Sequence, residues 1–254
     1  MNRVSNDPDY ALIQGQLVST WGMGERVVPK AMSDTSLNRH ILDISFRHYE
    51  LASRYALNKR VLDIACGSGY GSNILKQSGA ATVLGVDICS EAVEYANQQY
   101  LLQGIEFICD DAEQFDCSDT FDVICSFETL EHLKSPEQFL QKLYRLLSAE
   151  GDLLLSVPLG ETRHFDPYHL HAFSKDDIFS LLNQAGFSVD LYRLDVFKMS
   201  RSDLLNSKSL YPESNPSMSD LLLTYRGLRT LYDFVFRDGF KIPQLMVCAR
   251  KIKT

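Results

Sequence analysis

Two carboxylates and three imidazoles stand at spacings that could support acid–base or metal chemistry. Glu128, Glu131 and His132 follow an apolar run, and a helix beginning after that run would turn all three side chains toward one ligand. His169 and His171 lie in a later stretch that we expect to form a loop. Imidazoles exchange protons near neutral pH, and both groups coordinate divalent ions. The catalytic candidates are therefore Glu128, His132, His169 and His171, and the candidate metal ligands are Glu128, Glu131 and His132.

A glycine-rich loop is the next feature that could contact a ligand. A buried strand is predicted to end shortly after Asp63, and Gly67, Gly69 and Gly71 follow at alternate positions. Glycine has no Cβ atom, so a ligand can lie against the backbone, and the helix expected next would direct N–H groups at it. Ser72 stands where a dinucleotide-binding loop has its last glycine, and Asp63 is unsuited to a pyrophosphate. The loop favours a cofactor without phosphate groups; a tight structural turn is the alternative.

Apolar strand patterns and helical patterns alternate from residue 60 to residue 190. This alternation predicts an α/β fold with a doubly wound, mostly parallel sheet. Asp87 ends the second strand, about 20 residues beyond the glycine loop, where a carboxylate commonly accepts hydrogen bonds from ribose hydroxyls. Asp111 follows the third strand. We expect these acids to lie at the same edge of the sheet as the loop.

The order of these segments resembles that of the class I S-adenosylmethionine-dependent methyltransferases that act on small molecules. The matching stretches are VLDIACGSGYG, LGVDICSEAVEYA, DDAEQF, FDVICSFETLEHL and LYRLLSAEGDLLLSVP, which lie between residues 60 and 160. Ala65 departs from the family, which most often has glycine at that position. The resemblance implies a Rossmann-like sheet of seven strands, S-adenosylmethionine as the cofactor and methyl transfer as the activity.

The resemblance also implies roles for individual residues. Asp63 and the backbone of the glycine loop would hold the methionine portion of the cofactor, and Asp87 would hold the ribose. Ile88 would flank the adenine, whose edge would be read by Asp111 and the Ala112 N–H group. The implied cofactor-binding residues are Asp63, Ala65, Gly67, Ser68, Gly69, Asp87, Ile88, Asp111, Ala112 and Phe127.

The resemblance to this family implies that the chain has four parts. Residues 1–58 form an N-terminal helical cap, and residues 59–197 form the cofactor-binding core. Residues 198–242 are an inserted segment with a helix, interpreted as a substrate lid or a dimer contact. Residues 243–254 supply the last strand of the core.

The Glu-x-x-Glu-His run further resembles small-RNA 2′-O-methyltransferases and ubiquinone-pathway O-methyltransferases, where such a cluster holds Mg²⁺ beside the acceptor hydroxyl. Glu-His-Leu is also frequent in relatives that need no metal, so Mg²⁺ is an option that we do not favour. A looser resemblance of GERVVP and RHYELASRY to bacterial enzymes of sugar modification favours a hydroxyl acceptor. The alternatives are N- or C-methylation of a small metabolite and, after that, a subunit that binds S-adenosylmethionine without catalysis.

Composition and charge limit the kinds of partner that the chain is expected to bind. The net charge is −8 and the pI is about 5.2, and no cluster of Lys and Arg stands out, so a nucleic-acid partner is not expected. No apolar run approaches the ~18 residues that span a membrane, and the polar N-terminus does not resemble a signal peptide. None of the six cysteines forms a C-x-x-C pair. We expect a cytoplasmic protein with reduced thiols, a small-molecule acceptor and, as one option, a homodimer.

Overall fold

A computed structural model describes residues 27–29, 36–160, 168–200 and 239–252, together with residues 232 and 236. The strands are β1 (Arg60–Ile64), β2 (Thr82–Asp87), β3 (Ile105–Cys109), β4 (Phe121–Phe127), β5 (Leu147–Pro158), β6 (Phe187–Ser200) and β7 (Gly239–Lys251). The α-helices are α1 (Ser36–Ala56), α2 (Tyr70–Gln77), α3 (Ser90–Tyr100), α4 (Pro136–Leu146) and α5 (Lys175–Gln184). A single 3₁₀ turn, Leu130–His132, follows β4.

All seven strands form one sheet in the order β3-β2-β1-β4-β5-β7-β6. The first five strands pair in parallel, and β7 runs antiparallel to both β5 and β6. The predicted doubly wound, mostly parallel sheet is therefore confirmed. The strand order reverses between β1 and β4, and ligands of such sheets bind in the crevice outside the carboxyl ends of the strands at that point.

The last two strands run past the expected boundaries of the core, residues 197 and 243. Strands β6 and β7 continue pairing as far as Ser200 and Gly239. The partner strand β5 ends its pairing with β7 at Pro158, opposite Gln244. The hairpin continues past the end of β5 because its two strands satisfy each other's backbone groups.

The sheet is buried on both faces, as parallel sheets generally are. On one face Leu62 and Ile64 of β1 belong to an apolar cluster with Phe139 of α4, and on the other Val61 packs with Ala52 of α1. Successive strand residues point to opposite faces, so β1 contributes to both layers. This burial fixes the height of the glycine loop that follows β1.

Phe107 of β3 occupies a space left by two glycines. A Cβ atom on Gly69 would lie 2.8 Å from its ring, and one on Gly85 of β2 would lie 2.5 Å from it. Both distances are shorter than carbon atoms tolerate. The ring disfavours any larger residue at both positions, and at position 69 the Ala96 Cβ atom, 2.6 Å from an added Cβ, does so as well.

Helix α1 (Ser36–Ala56) lies within the expected N-terminal helical cap, residues 1–58. Its Tyr49 ring lies directly over the glycine loop, since a Cβ atom on Gly71 would come within 1.8 Å of that ring. The helix predicted in the inserted segment, residues 220–236, lies outside the described residues except for residues 232 and 236. None of the helices within the described ranges has the length and hydropathy needed to cross a bilayer.

Candidate active site at the carboxyl edge of the sheet

The glycine loop carries β1 into α2 through left-handed backbone. Gly67 has φ 55° and Gly69 has φ 80°, a region that favours glycine. Gly69 is also the N-cap of α2, and no side chain caps that helix by a hydrogen bond. The first N–H groups of α2 thus lack a side-chain acceptor, as expected where a ligand meets a helix N-terminus.

Two predicted site residues adopt left-handed backbone although they are not glycine. Ala65 has φ 62° and Glu128 has φ 49°; Asn58 is the other such residue among the described ranges. The left-handed region costs an L-residue about 1–2 kcal/mol. Ala65, at the position where the resembled family most often has glycine, is therefore strained.

Asp63 lies beneath the loop and is almost completely buried, with 1% of its surface exposed. The Tyr49 hydroxyl donates to its two oxygens at 3.1 and 3.3 Å, and the Ser72 hydroxyl donates at 2.6 Å. Burial raises the pKa of Asp63 to about 6, while the two hydroxyl donors oppose that rise. Asp63 thus accepts hydrogen bonds from Tyr49 and Ser72, and these bonds connect α1 to the glycine loop.

Hydrogen bonds from the backbone fix the side chain of Asp87, the last residue of β2, next to the glycine loop. One of its oxygens accepts the Gly67 N–H at 2.8 Å, and the other accepts the Cys89 N–H at 2.9 Å. Ile88, the next residue, leaves 55% of its surface exposed at the carboxyl end of β2. A fixed carboxylate beside an exposed apolar side chain matches what the ribose and the adenine of a nucleoside require.

The loop after β3 is supported by a buried lysine that the sequence did not reveal as a site residue. Asp111 accepts the Glu113 N–H at 2.8 Å, and the Ala112 carbonyl accepts a hydrogen bond from the ammonium group of Lys142 in α4. Burial lowers the pKa of Lys142. The sequence feature that could have identified Lys142 is its position next to the apolar side of α4, three residues after Phe139.

Two of the implied cofactor residues face the N-terminal part of the chain. The Ser68 hydroxyl donates to the Val27 carbonyl at 2.7 Å, so this side chain anchors the segment before α1. The Phe127 ring lies 5.0 Å from the ring of Tyr49 and 5.5 Å from that of His48, measured between centroids. Phe127 therefore closes the space between the end of β4 and α1.

Glu128 is accessible to solvent, but neighbouring protein atoms desolvate its carboxyl. This desolvation raises the pKa of the carboxyl to about 7. The Ser156 hydroxyl donates to it at 2.6 Å. With the Gln244 amide oriented to satisfy its neighbours, its NH₂ group lies 3.1 and 2.9 Å from the two Glu128 oxygens. Strands β5 and β7 thus fix the direction of this carboxylate.

The expected helix after β4 is wrong. Glu128 lies outside the 3₁₀ turn Leu130–His132, which is too short to place residues four apart on one face. Instead, one ligand atom each from Glu131, His132 and His169 lie within 4.8 Å of one another. The loop after β5 supplies His169 in the place that the sequence assigned to Glu128.

Glu131 is the most deeply buried acid of this group, with 1% of its surface exposed. Burial, together with the nearby Glu128 carboxylate, raises its pKa well above the ordinary value. Its oxygen lies 3.8 Å from His132 Nε2. The rings of His132 and His169 are 4.7 Å apart, and burial followed by the neighbouring His132 lowers the pKa of His169 to about 3.

His171 is oriented by the backbone. Its Nε2 lies 2.8 Å from the Leu133 carbonyl oxygen, which can only accept, so that nitrogen carries a proton. Its ring stacks on Phe173 at 5.4 Å. His171 therefore fastens the loop, and His169 is the histidine of this loop that joins Glu131 and His132. His164, which lies in the same stretch of sequence, is outside the described residues.

The chain is similar to known methyltransferases in sequence. Residues 62–155 match the model of a methyltransferase domain family. A protein of Mycolicibacterium smegmatis named a probable S-adenosylmethionine-dependent methyltransferase is 27% identical over 192 residues, which cover 72% of this chain and 70% of that protein. A malonyl-(acyl-carrier protein) O-methyltransferase of Bacillus cereus is 26% identical, over 66% of this chain and 63% of its own length.

The fold is also found among solved structures. A crystallised protein of Bacillus halodurans C-125, to which methyltransferase activity is ascribed, superposes with a TM-score of 0.68. The match covers 81% of this chain and 99% of the other at 22% identity. At that identity the likeness concerns the fold alone.

Proposed function

The chain is a class I S-adenosylmethionine-dependent methyltransferase, and we propose that it methylates a hydroxyl group of a small-molecule acceptor such as a sugar. The relatives include O-methyltransferases, which agrees with an oxygen acceptor without identifying it. The observation that carries the proposal is Glu128, an accessible carboxylate with a raised pKa at the carboxyl end of β4.

The residues around the crevice fit the cofactor. S-adenosylmethionine supplies an electrophilic methyl group on a sulfonium. Asp87 would accept the ribose hydroxyls while its bonds to Gly67 and Cys89 keep it in place, and Ile88 would cover the adenine. The uncapped start of α2 would receive the carboxylate of the methionine portion. Positioning of this kind accounts for much of the rate of a displacement reaction.

A hydroxyl acceptor needs a group that takes its proton. A base is most effective when its pKa lies near the working pH, and the pKa of Glu128, about 7, meets that condition. Ser156 and Gln244 orient the carboxylate, so it can receive the proton without first reorganising. The pKa of His169, about 3, makes this imidazole a weaker base for the step than Glu128.

The ionised Glu128 carboxylate also disfavours an acidic acceptor. A carboxylate acceptor is already ionised and needs no base. It would also have to approach Glu128, whose like charge repels it in a region of reduced dielectric. A neutral hydroxyl approaches the same recess without that penalty.

The proposal is tested by methyl transfer from isotopically labelled cofactor to a panel of sugars, phenols, amines and carboxylic acids. We expect an alkali-stable methyl ether on a hydroxyl compound. The kcat/KM value should rise with pH through about 7, because Glu128 acts as a base only when ionised.

Glu128→Gln should lose most turnover at every pH and lose this rising limb, while keeping its affinity for the demethylated cofactor. Glu137→Gln, an exposed substitution in the first turn of α4, is the matched control and should behave as wild type. Labelled amines or alkali-labile esters as the main products would refute the hydroxyl assignment.

A further inference from the structure

We propose that Lys142 is a positioning residue for the cofactor, whose ammonium group sets the direction of the Asp111 carboxylate and thereby the preference of the site for adenine. Lys142 lies on α4 with 6% of its surface exposed, and its ammonium group donates to the Ala112 carbonyl oxygen. It therefore acts through the backbone of the loop after β3. The proposal rests on the expected contact of Asp111 with the adenine, which belongs to the cofactor part of the proposed function.

One peptide group connects the lysine to the carboxylate. The carbonyl oxygen of Ala112 and the N–H group of Glu113 belong to the same planar peptide. Lys142 donates to the oxygen, and the N–H group donates to Asp111 Oδ1 at 2.8 Å. A cation at the oxygen polarises the peptide, so its N–H becomes a stronger donor. The lysine thus fixes the plane of this peptide together with the carboxylate that the peptide binds.

A fixed carboxylate can distinguish adenine from a base that lacks its amine. With Oδ1 of Asp111 bound to the backbone, Oδ2 is directed by the same contact. An ionised carboxylate only accepts hydrogen bonds, and the exocyclic amine of adenine is a donor. Hypoxanthine carries a carbonyl oxygen in that place, which the carboxylate repels. The orientation of Asp111 therefore sets how strongly the site prefers adenine.

The surroundings of Lys142 are unusual for a cation. It lies on the apolar side of α4 beside Phe139 and Leu143, and its ammonium group is 5.6 Å from the centroid of the Phe139 ring. Lysine is rarely buried unless it is paired. Burial lowers the pKa of Lys142, and the nearby Asp111 carboxylate opposes that change. An apolar residue of similar length would avoid the cost of desolvation, so the contact with the loop is what explains a lysine here.

The loop after β3 is also anchored by contacts that do not involve Lys142. A carboxylate oxygen of Glu113 accepts the Ser135 N–H at 2.9 Å, directly before α4 begins. The buried Phe115 donates its N–H to the Asp111 carbonyl oxygen at 2.7 Å. Removal of the ammonium group should therefore loosen the peptide between residues 112 and 113 without unfolding the loop.

The experiment compares two ligands by calorimetry on the full chain: the demethylated cofactor and its analogue with hypoxanthine in place of adenine. Wild type should prefer the adenine compound at least ~10-fold, as one hydrogen bond to a charged group provides. In Lys142→Met this ratio should fall about 3- to 10-fold, mainly through weaker binding of the adenine compound.

Lys175→Met is the matched control. The Lys175 ammonium group lies 5.5 Å from the centroid of the Phe179 ring, a contact similar to that of Lys142, but it belongs to α5. This variant should keep the wild-type ratio. In an Asp111→Asn background, where the preference for adenine is already lost, Lys142→Met should change the ratio no further, because the lysine acts through that carboxylate.

A lysine that only stabilised the fold would affect both ligands equally, so an unchanged ratio in Lys142→Met would overturn the proposal. Equal binding of the two ligands by wild type would also overturn it, since Asp111 would then not read the amine. Lys142→Gln removes the charge and keeps an amide donor; it replaces Lys142→Met if that variant does not fold, and it should give an intermediate ratio. Wild type that binds neither ligand would instead refute the cofactor assignment, and the titrations contain no acceptor, so they are independent of methyl transfer to a hydroxyl.

Discussion

The contact between Tyr49 and Asp63 is the strongest test of how α1 is attached to the glycine loop. Tyr49→Phe removes the hydroxyl that donates to both Asp63 oxygens and retains the ring that covers Gly71. Asp63 would keep one donor, the Ser72 hydroxyl, in a site that is 1% exposed. The substitution therefore isolates one polar interaction from the packing around it.

The expected loss depends on the charge of Asp63. A hydrogen bond to an ionised group contributes about 1.5–3 kcal/mol, and one between neutral groups about 0.5–1.5 kcal/mol. The pKa of Asp63 is about 6, and loss of the Tyr49 donor raises it further. The free energy of unfolding should fall by about 2 kcal/mol at pH 8, where wild-type Asp63 is ionised, and by about 1 kcal/mol at pH 5, where it is protonated.

Urea denaturation of both proteins at the two pH values measures this difference. Tyr144→Phe serves as the control, because Tyr144 lies on α4, where its ring packs edge-on against Phe187. A loss in Tyr49→Phe that is equal at pH 5 and pH 8, or larger at pH 5, would refute the reasoning. The hydroxyl would then not act on the ionised carboxylate.

Two further substitutions test the loop. Asp87→Ala removes the acceptor of the Gly67 and Cys89 N–H groups as well as the expected ribose partner. Its affinity for the demethylated cofactor should fall ~30-fold or more by calorimetry, equivalent to about 2 kcal/mol, and unchanged affinity would remove the ribose assignment. Ala65→Gly relieves a φ of 62° and should raise the free energy of unfolding by about 0.5–1 kcal/mol in urea titrations. A stability loss in this variant would show that the left-handed alanine is not strained.

The sheet and the acids at its carboxyl edge were predictable because they depend on local pattern. Apolar runs ending in acids placed Asp87 and Asp111 after successive strands, and parallel strands bring such residues to one edge. Glycines at alternate positions after β1 gave the loop. These features follow from periodicities within about a dozen residues, which a single sequence displays well.

The contacts that connect distant segments were not predictable. Tyr49 reaches Asp63 only because α1 crosses the loop at one angle, and the helical pattern does not contain that angle. Glu128 adopts left-handed backbone, which no propensity of glutamate suggests, so the helix expected there was wrong. His169 lies near Glu131 because the N–H groups of its neighbours Leu170 and His171 donate to the Glu131 carbonyl, a long-range contact that spacing arguments do not reach.

The ring of Phe107 has a consequence for how this chain can diverge. It fills the volume that side chains at positions 69 and 85 would need, so the three sites form one steric unit spread over the loop, β2 and β3. A larger residue at position 85 would fit only after a smaller residue has replaced Phe107. In sequences that diverge from this one, the residues at positions 85 and 107 should therefore change together. Glycine at position 85 is explained by the size of the Phe107 ring and not by the approach of a ligand.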